Sequence, residues 1–369
     1  MKNFKKTITP AFAALILTAQ MSAPANADDA YVKSFTAYAD ETRMLEKKEG
    51  YIGKVLPIPE LQKVADNVYM SVGSQLWGNR SNFGFNNNMT AVIFEDGVML
   101  YNAGPNPAVA YSFHKKLKEI TNKPVKWIVI ENHQGHANMG ASYWNDIGVK
   151  HIYSEKQATE EWSEMFDDSK QRYMTSVSNV WNSPAYDATK YYTTFEDSFV
   201  LDVGNGEKVH MINYGGGHTP TMAGVLIPSK NVVFTGDLGF NERLPGLFEG
   251  GDYKEWIDSF NKMEAAMVEL FEKPEEAVVV PGHGNPDNIA KIRSMSLDYF
   301  EDIAEKVKEV IANGGGLEEA KKIDQSKFEH RIVFSQIAVP NAESVYHTLV
   351  GDSNESVESV ESSESQQEL

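Results

Sequence analysis

The chain contains no cysteine in its 369 residues. That excludes disulfides and thiolate ligands together, so any bound metal must rest on nitrogen and oxygen donors. Long apolar runs are missing too: the longest candidate, Ala11 to Ala19, is too short to span a bilayer. Positive charge is scarce. With 34 basic against 52 acidic residues the formal net charge is −18, the wrong sign for a nucleic-acid partner. No repeat of fixed period is visible. What remains is a chain with 41% hydrophobic residues, long enough for one large domain with a real core.

The two ends differ from the middle. The start, MKNFKKTITPAFAALILTAQMSAPANADDA, has a lysine-rich opening, a short apolar stretch and the small-residue site Ala25-Asn26-Ala27. This is the pattern of a secretory signal peptide over residues 1 to 27, which implies a periplasmic or secreted protein with no membrane span after cleavage. Residues 28 to 60 suit a mixed polar arm, and residues 351 to 369, rich in Ser and Glu, suit an acidic disordered tail.

Between them, residues 61 to 350 read as one α/β domain. VADNVYMSV, MTAVIFED and GVMLYNAG are short β-rich runs, followed by a helix over PAVAYSFHKKLKEIT and a buried strand over Val125 to Ile130. Residues 156 to 190 are charged and aromatic and suit helix; they interrupt the strands as an insertion, either a lid or added core through Trp162, Phe166, Tyr173 and Trp181. Strands resume at FVLDVG, KVHMINYGG, MAGVLIPS and NVVFTGD, with helices after them. The order suits a sandwich of two mixed sheets flanked by helices, αββα.

Three strand ends carry donor side chains among glycines: ENHQGHANMG, GGGHTPT with FTGDLGF, and PGHGNPDN. A buried strand fixes each position, glycine lets the backbone turn, and His218, Asp237 and His283 project where a cavity would form. Imidazole and carboxylate suit a cation such as zinc, and iron or manganese as well. His210 lies within a strand, while His114, His151, His330 and His347 have no supporting context.

GGGHTPTMAGVLIPSKNVVFTGDLGF and VVVPGHGNPDN resemble the third, fourth and fifth motifs of the metallo-β-lactamase fold superfamily. GVMLYNAGPN is similar to the early strand that usually ends in Asp-Thr-Gly, with Asn102 in place of the aspartate, and TNKPVKWIVI to the segment before the His-x-His-x-Asp-His signature. The resemblance covers most of residues 64 to 350. It implies the αββα fold, and metal ligands at His218, Asp237 and His283. It also implies hydrolysis of a small substrate, an ester, lactone, lactam, thioester or sulfate ester, by metal-activated water.

The signature itself departs from the family pattern. Aligned without gaps from Pro124 to Gly140, its four ligand positions fall on Asn132, Gln134, His136 and Ala137; sliding by one restores only His133; a third register puts His133 and His136 at the second and fourth positions and leaves Glu131 and Gly135 in the others. The ungapped register keeps Pro124 and Gly140 in place. It offers Asn132 and Gln134 as weak amide donors or loop caps, His136 as a ligand and His133 as a proton carrier beside Asp237. Amide donors point to one divalent ion rather than two. The competing expectation is a non-catalytic binding or accessory protein in the periplasm that keeps the fold and cavity. Oligomeric state is not legible.

Overall fold

The computed structural model describes residues 55–248 and 250–364. The signal peptide and most of the N-terminal arm lie outside the described residues. The elements run β1 (Gln62–Ala65), β2 (Val68–Ser71), β3 (Met89–Ile93), β4 (Val98–Tyr101), α1 (Pro107–Ile120), β5 (Val125–Val129), α2 (Gly135–Asn138), α3 (Ala141–Asp146), β6 (His151–Glu155), α4 (Lys156–Ser176), α5 (Asn179–Asn182) and β7 (Tyr192–Phe195). The second half continues β8 (Ser198–Asp202), β9 (Lys208–Gly215), β10 (Met222–Ile227), β11 (Val232–Phe240), α6 (Tyr253–Leu270), β12 (Val278–His283), α7 (Ile289–Ala312), α8 (Leu317–Ala320) and α9 (Phe334–Glu364).

The first seven strands form one sheet in sequence order, antiparallel from β1 to β4 and parallel from β4 to β7. The other five form a second sheet in the order β12-β11-β10-β9-β8, in which only the β11 to β12 pair is parallel. Strands buried on both faces read as near-continuous apolar runs: MTAVI is broken only by Thr90, and VVFTGDLGF is buried throughout although it carries Thr235 and Asp237. Val68, Met70, Met99 and Val129 of the first sheet meet Met211, Val225 and Val232 of the second, and Tyr101 stacks on Phe234 across the gap at 5.4 Å. Helices cover both outer faces, which completes the αββα sandwich.

Local sequence sets the helix ends. Asn106 caps α1 by accepting from the Val109 N–H, with Pro107 in the first turn, and Asp252 and Asn288 cap α6 and α7 in the same way. Helix α6 lays Trp256, Phe260, Met263 and Met267 on the second sheet, each a burial of about 1.5–3 kcal/mol. Ahead of the first strand, Leu56 and Ile58 already pack into the first core, so the end of the arm belongs to the domain.

Two stretches differ from the sequence reading. The loop after β5 contains the short helices α2 and α3, because the Asn132 side chain accepts from the Gln134 N–H and turns the chain into helical geometry. Helix α9 runs through Glu364, into the segment whose composition suggested disorder; adding a residue to a formed helix costs far less than starting one. Among the described residues, no helix is long and apolar enough to cross a membrane.

Candidate metal centre

Five elements bring donor side chains to one end of the sandwich. Glu131 follows β5, His136 stands on α2, His218 lies in the turn before β10, Asp237 is inside β11, and His283 ends β12. All five are at least 94% buried. They border or underlie a cavity of about 480 Å³.

Asp237 is the hub. The Nε2 atoms of His136 and His218 each lie 3.5 Å from its Oδ2, and Nε2 of His283 lies 3.4 Å from its Oδ1. Donors bound to one zinc at about 2.0–2.1 Å stand about 3.3 Å apart at tetrahedral angles, close to these separations. Oδ1 also accepts from the Asn87 side chain at 2.9 Å, whereas Oδ2 is buried with no hydrogen-bond partner.

Glu131 is the donor that the ungapped register passes over; only the third register puts it at a ligand position. Its Oε2 accepts the Asp237 backbone N–H at 2.9 Å, and its Oε1 lies 2.6 Å from Nε2 of His136. Glu131, His136 and Asp237 present ligand atoms within 4.8 Å of one another. Its signals in the sequence are that third register and an acid directly after the apolar run of β5, in a chain whose signature lacks its own aspartate. The site also depends on Gly236, at φ +53°, where a Cβ would stand 1.4 Å from Oε2 of Glu131.

Burial governs the charges. Desolvation pushes the Glu131 and Asp237 carboxyls up to about 7, and for Asp237 the neighbouring Glu131 charge adds to the shift. The same cause lowers His218 to about 3 and lowers His136 and His283. The imidazoles are therefore neutral donors, and His218 donates from Nδ1 to the Gly246 carbonyl at 2.9 Å, which leaves the lone pair on Nε2, where the Gln134 amide approaches to 3.2 Å. Neutral imidazoles, two buried carboxyls and an orphaned carboxylate oxygen together fit a divalent cation.

Asn102 stands at φ +68°, a conformation Asn tolerates; it accepts from the Glu131 N–H and donates to the Asn87 side chain. An aspartate there would place a third carboxylate beside Glu131 and Asp237.

The first-motif residues separate. His136 joins Asp237, and Gln134 lies on the cavity wall with Nε2 3.2 Å from Nε2 of His218. Asn132 does not line the cavity. Its oxygen caps the loop through Gln134 and its backbone carbonyl accepts from Asn138, so its side chain acts as a turn former. His133 is at the cavity wall, 19% exposed and paired through Nδ1 with Glu161 of α4, away from Asp237. His114 instead bonds the Tyr143 hydroxyl at 2.7 Å.

The insertion splits its two expected roles. Trp162 and Phe166 pack with Met139 and Ala185, while Met165, Arg172 and Tyr173 form a wall of the cavity opposite Trp77 and Phe248. The loop that carries Gly246 and Phe248 is tied down from α9: Asn341 accepts from the Leu247 N–H and donates to the Pro245 carbonyl, both at 2.8 Å.

The family model described as "Metallo-beta-lactamase superfamily" matches residues 83–283. Among solved structures, the chain is similar to a metallo-beta-lactamase from Pontibacter korlensis, with 17% identity, 63% of this chain and 94% of that chain covered and a TM-score of 0.48. It is also similar to the DIM-1 metallo-beta-lactamase exposed to ceftazidime, with 19% identity, 65% and 96% covered and a TM-score of 0.47.

Proposed function

The chain belongs to the metallo-beta-lactamase superfamily, and on that premise we propose that it is an exported metal-dependent hydrolase. One divalent ion, zinc ahead of iron or manganese, is held by Glu131, His136, His218 and Asp237, with His283 on the second oxygen of Asp237. The observation that carries this reading is the buried, unpartnered Oδ2 of Asp237, faced by two imidazole nitrogens at 3.5 Å. A buried acceptor without a donor is costly, and a cation there satisfies it while neutralising two carboxylates.

When bound, the ion supplies Lewis acidity toward a substrate oxygen and toward water. The protein supplies the rest. Glu131 holds the Asp237 backbone in place, and the Gly246 carbonyl fixes the His218 tautomer. His133, paired with Glu161, moves a proton between the cavity and the rim. Trp77, Tyr173 and Phe248 exclude water and seat the apolar part of a small ester, lactone, lactam, thioester or sulfate ester.

A non-catalytic binding protein is the second reading, favoured by Asn132 being turned into its own loop and by an amide at Gln134 beside His218. Metal content by plasma mass spectrometry of the mature protein, His218→Ala and Asp237→Ala separates the two, followed by hydrolysis assays on the five substrate classes. Metal in the wild type, lost in both variants, with turnover of one class is the expected result. A folded protein that takes up no metal overturns the hydrolase reading.

A further inference from the structure

The geometry points to Arg243 as a fixed cation that occupies the place of a second metal ion beside Asp237, so that the centre accepts one divalent ion. This inference rests on the metal-holding reading above. The two oxygens of Asp237 face different imidazoles, His136 and His218 on Oδ2 and His283 on Oδ1, an arrangement with room for one cation on each oxygen. Only the Oδ2 side is open. On the other side Oδ1 already accepts from Asn87, and Nη1 of Arg243 lies 3.1 Å from Nδ1 and 3.4 Å from Nε2 of His283.

A neutral imidazole has one N–H and one lone pair. The His283 ring bonds the Asn86 backbone, and the guanidinium engages the lone pair that is left, which withdraws His283 from the ligand set. Arg243 is built into this position. It is 3% exposed, its guanidinium carbon sits 4.4 Å over the Trp77 ring, and its backbone bridges to Ile332. Among the described residues no carboxylate forms an ion pair with it; the charge that holds it is the nearby Asp237. A buried cation needs such a counter-charge. Arginine cannot shed its proton to make way, so a second divalent ion would have to share Asp237 with a permanent positive charge.

The test is a zinc titration of the full chain, read as zinc retained per chain and as affinity by competition with a chromophoric chelator. The wild type is expected to hold one zinc, His283→Ala to hold one with affinity changed by less than about threefold, and His218→Ala to lose about tenfold or more in affinity. Arg243→Met is expected to hold two, and Arg243→Lys one. Two zincs in the wild type overturn the inference, as does a His283→Ala variant weakened about tenfold or more, or a folded Arg243→Met with one zinc. If Arg243→Met fails to fold, the wild-type count and the His283→Ala affinity still decide. A folded wild type that binds no zinc is a different failure, that of the metal-holding reading itself.

Discussion

The carboxylate of Glu131 occupies the space that a side chain on Gly236 would need: a Cβ there would lie 1.4 Å from Oε2. Glycine at this place in β11 serves two ends, a left-handed backbone and room for an acid from the neighbouring sheet. Gly236→Ala is therefore expected to displace Glu131, to destabilise the metal-free protein by about 2–4 kcal/mol through overpacking and backbone strain, and to abolish metal retention. Urea unfolding and metal analysis check both; an alanine variant as stable and as metal-rich as the wild type would contradict this account of the site.

Glu131→Gln keeps the shape and most of the hydrogen bonds but removes one buried negative charge. Metal affinity is expected to fall by about 10–100-fold, while the stability of the metal-free protein stays equal or rises, because a desolvated carboxyl is gone. Chelator competition and thermal unfolding of the stripped protein are the measurements. Unchanged affinity would remove Glu131 from the centre.

His133→Ala tests proton movement apart from metal binding. The imidazole is at the wall, paired with Glu161, and does not touch Asp237, so the variant should keep its metal and lose about 10²–10⁴-fold in turnover. Steady-state kinetics with metal content measured on the same sample decide it. Loss of metal in this variant would make His133 a ligand, and full turnover would make it a bystander.

Acid sensitivity has a source far from the centre. Burial, helped by Lys118 and Lys115, lowers His114 to about 4 from its ordinary 6.5. Between those values the unfolded chain binds a proton that the folded one refuses, so stability is present above pH 6.5 and is lost as the pH falls toward 4. The loss amounts to at most about 3 kcal/mol, at 1.36 kcal/mol per pH unit. His114→Gln should flatten that part of the stability profile relative to the wild type in urea titrations at pH 4 to 7. Parallel profiles would show that His114 titrates normally.

Much of this arrangement was legible before the fold was seen. His218, Asp237 and His283 stand out because glycines flank or precede them at the ends of apolar runs, and His136 follows from keeping Pro124 and Gly140 in register. The three imidazoles face the one carboxylate of Asp237. Glu131 is reached only in the third register, because one acid after a strand looks like any strand end until its distance to Asp237 gives it meaning. Arg243 and Asn87 come from loops without a motif, and their roles depend on contacts between segments far apart in the chain. The helical turn at α2 was missed for a local reason, an Asn132 cap that could equally close a loop.

Asn341 of α9 fastens the loop whose Gly246 carbonyl orients His218. Every proposed ligand is synthesised before this clamp. A chain that has emerged through His283 thus carries all its proposed donors yet lacks the part that aims one of them, and His218 takes its orientation only once the C-terminal helix has docked.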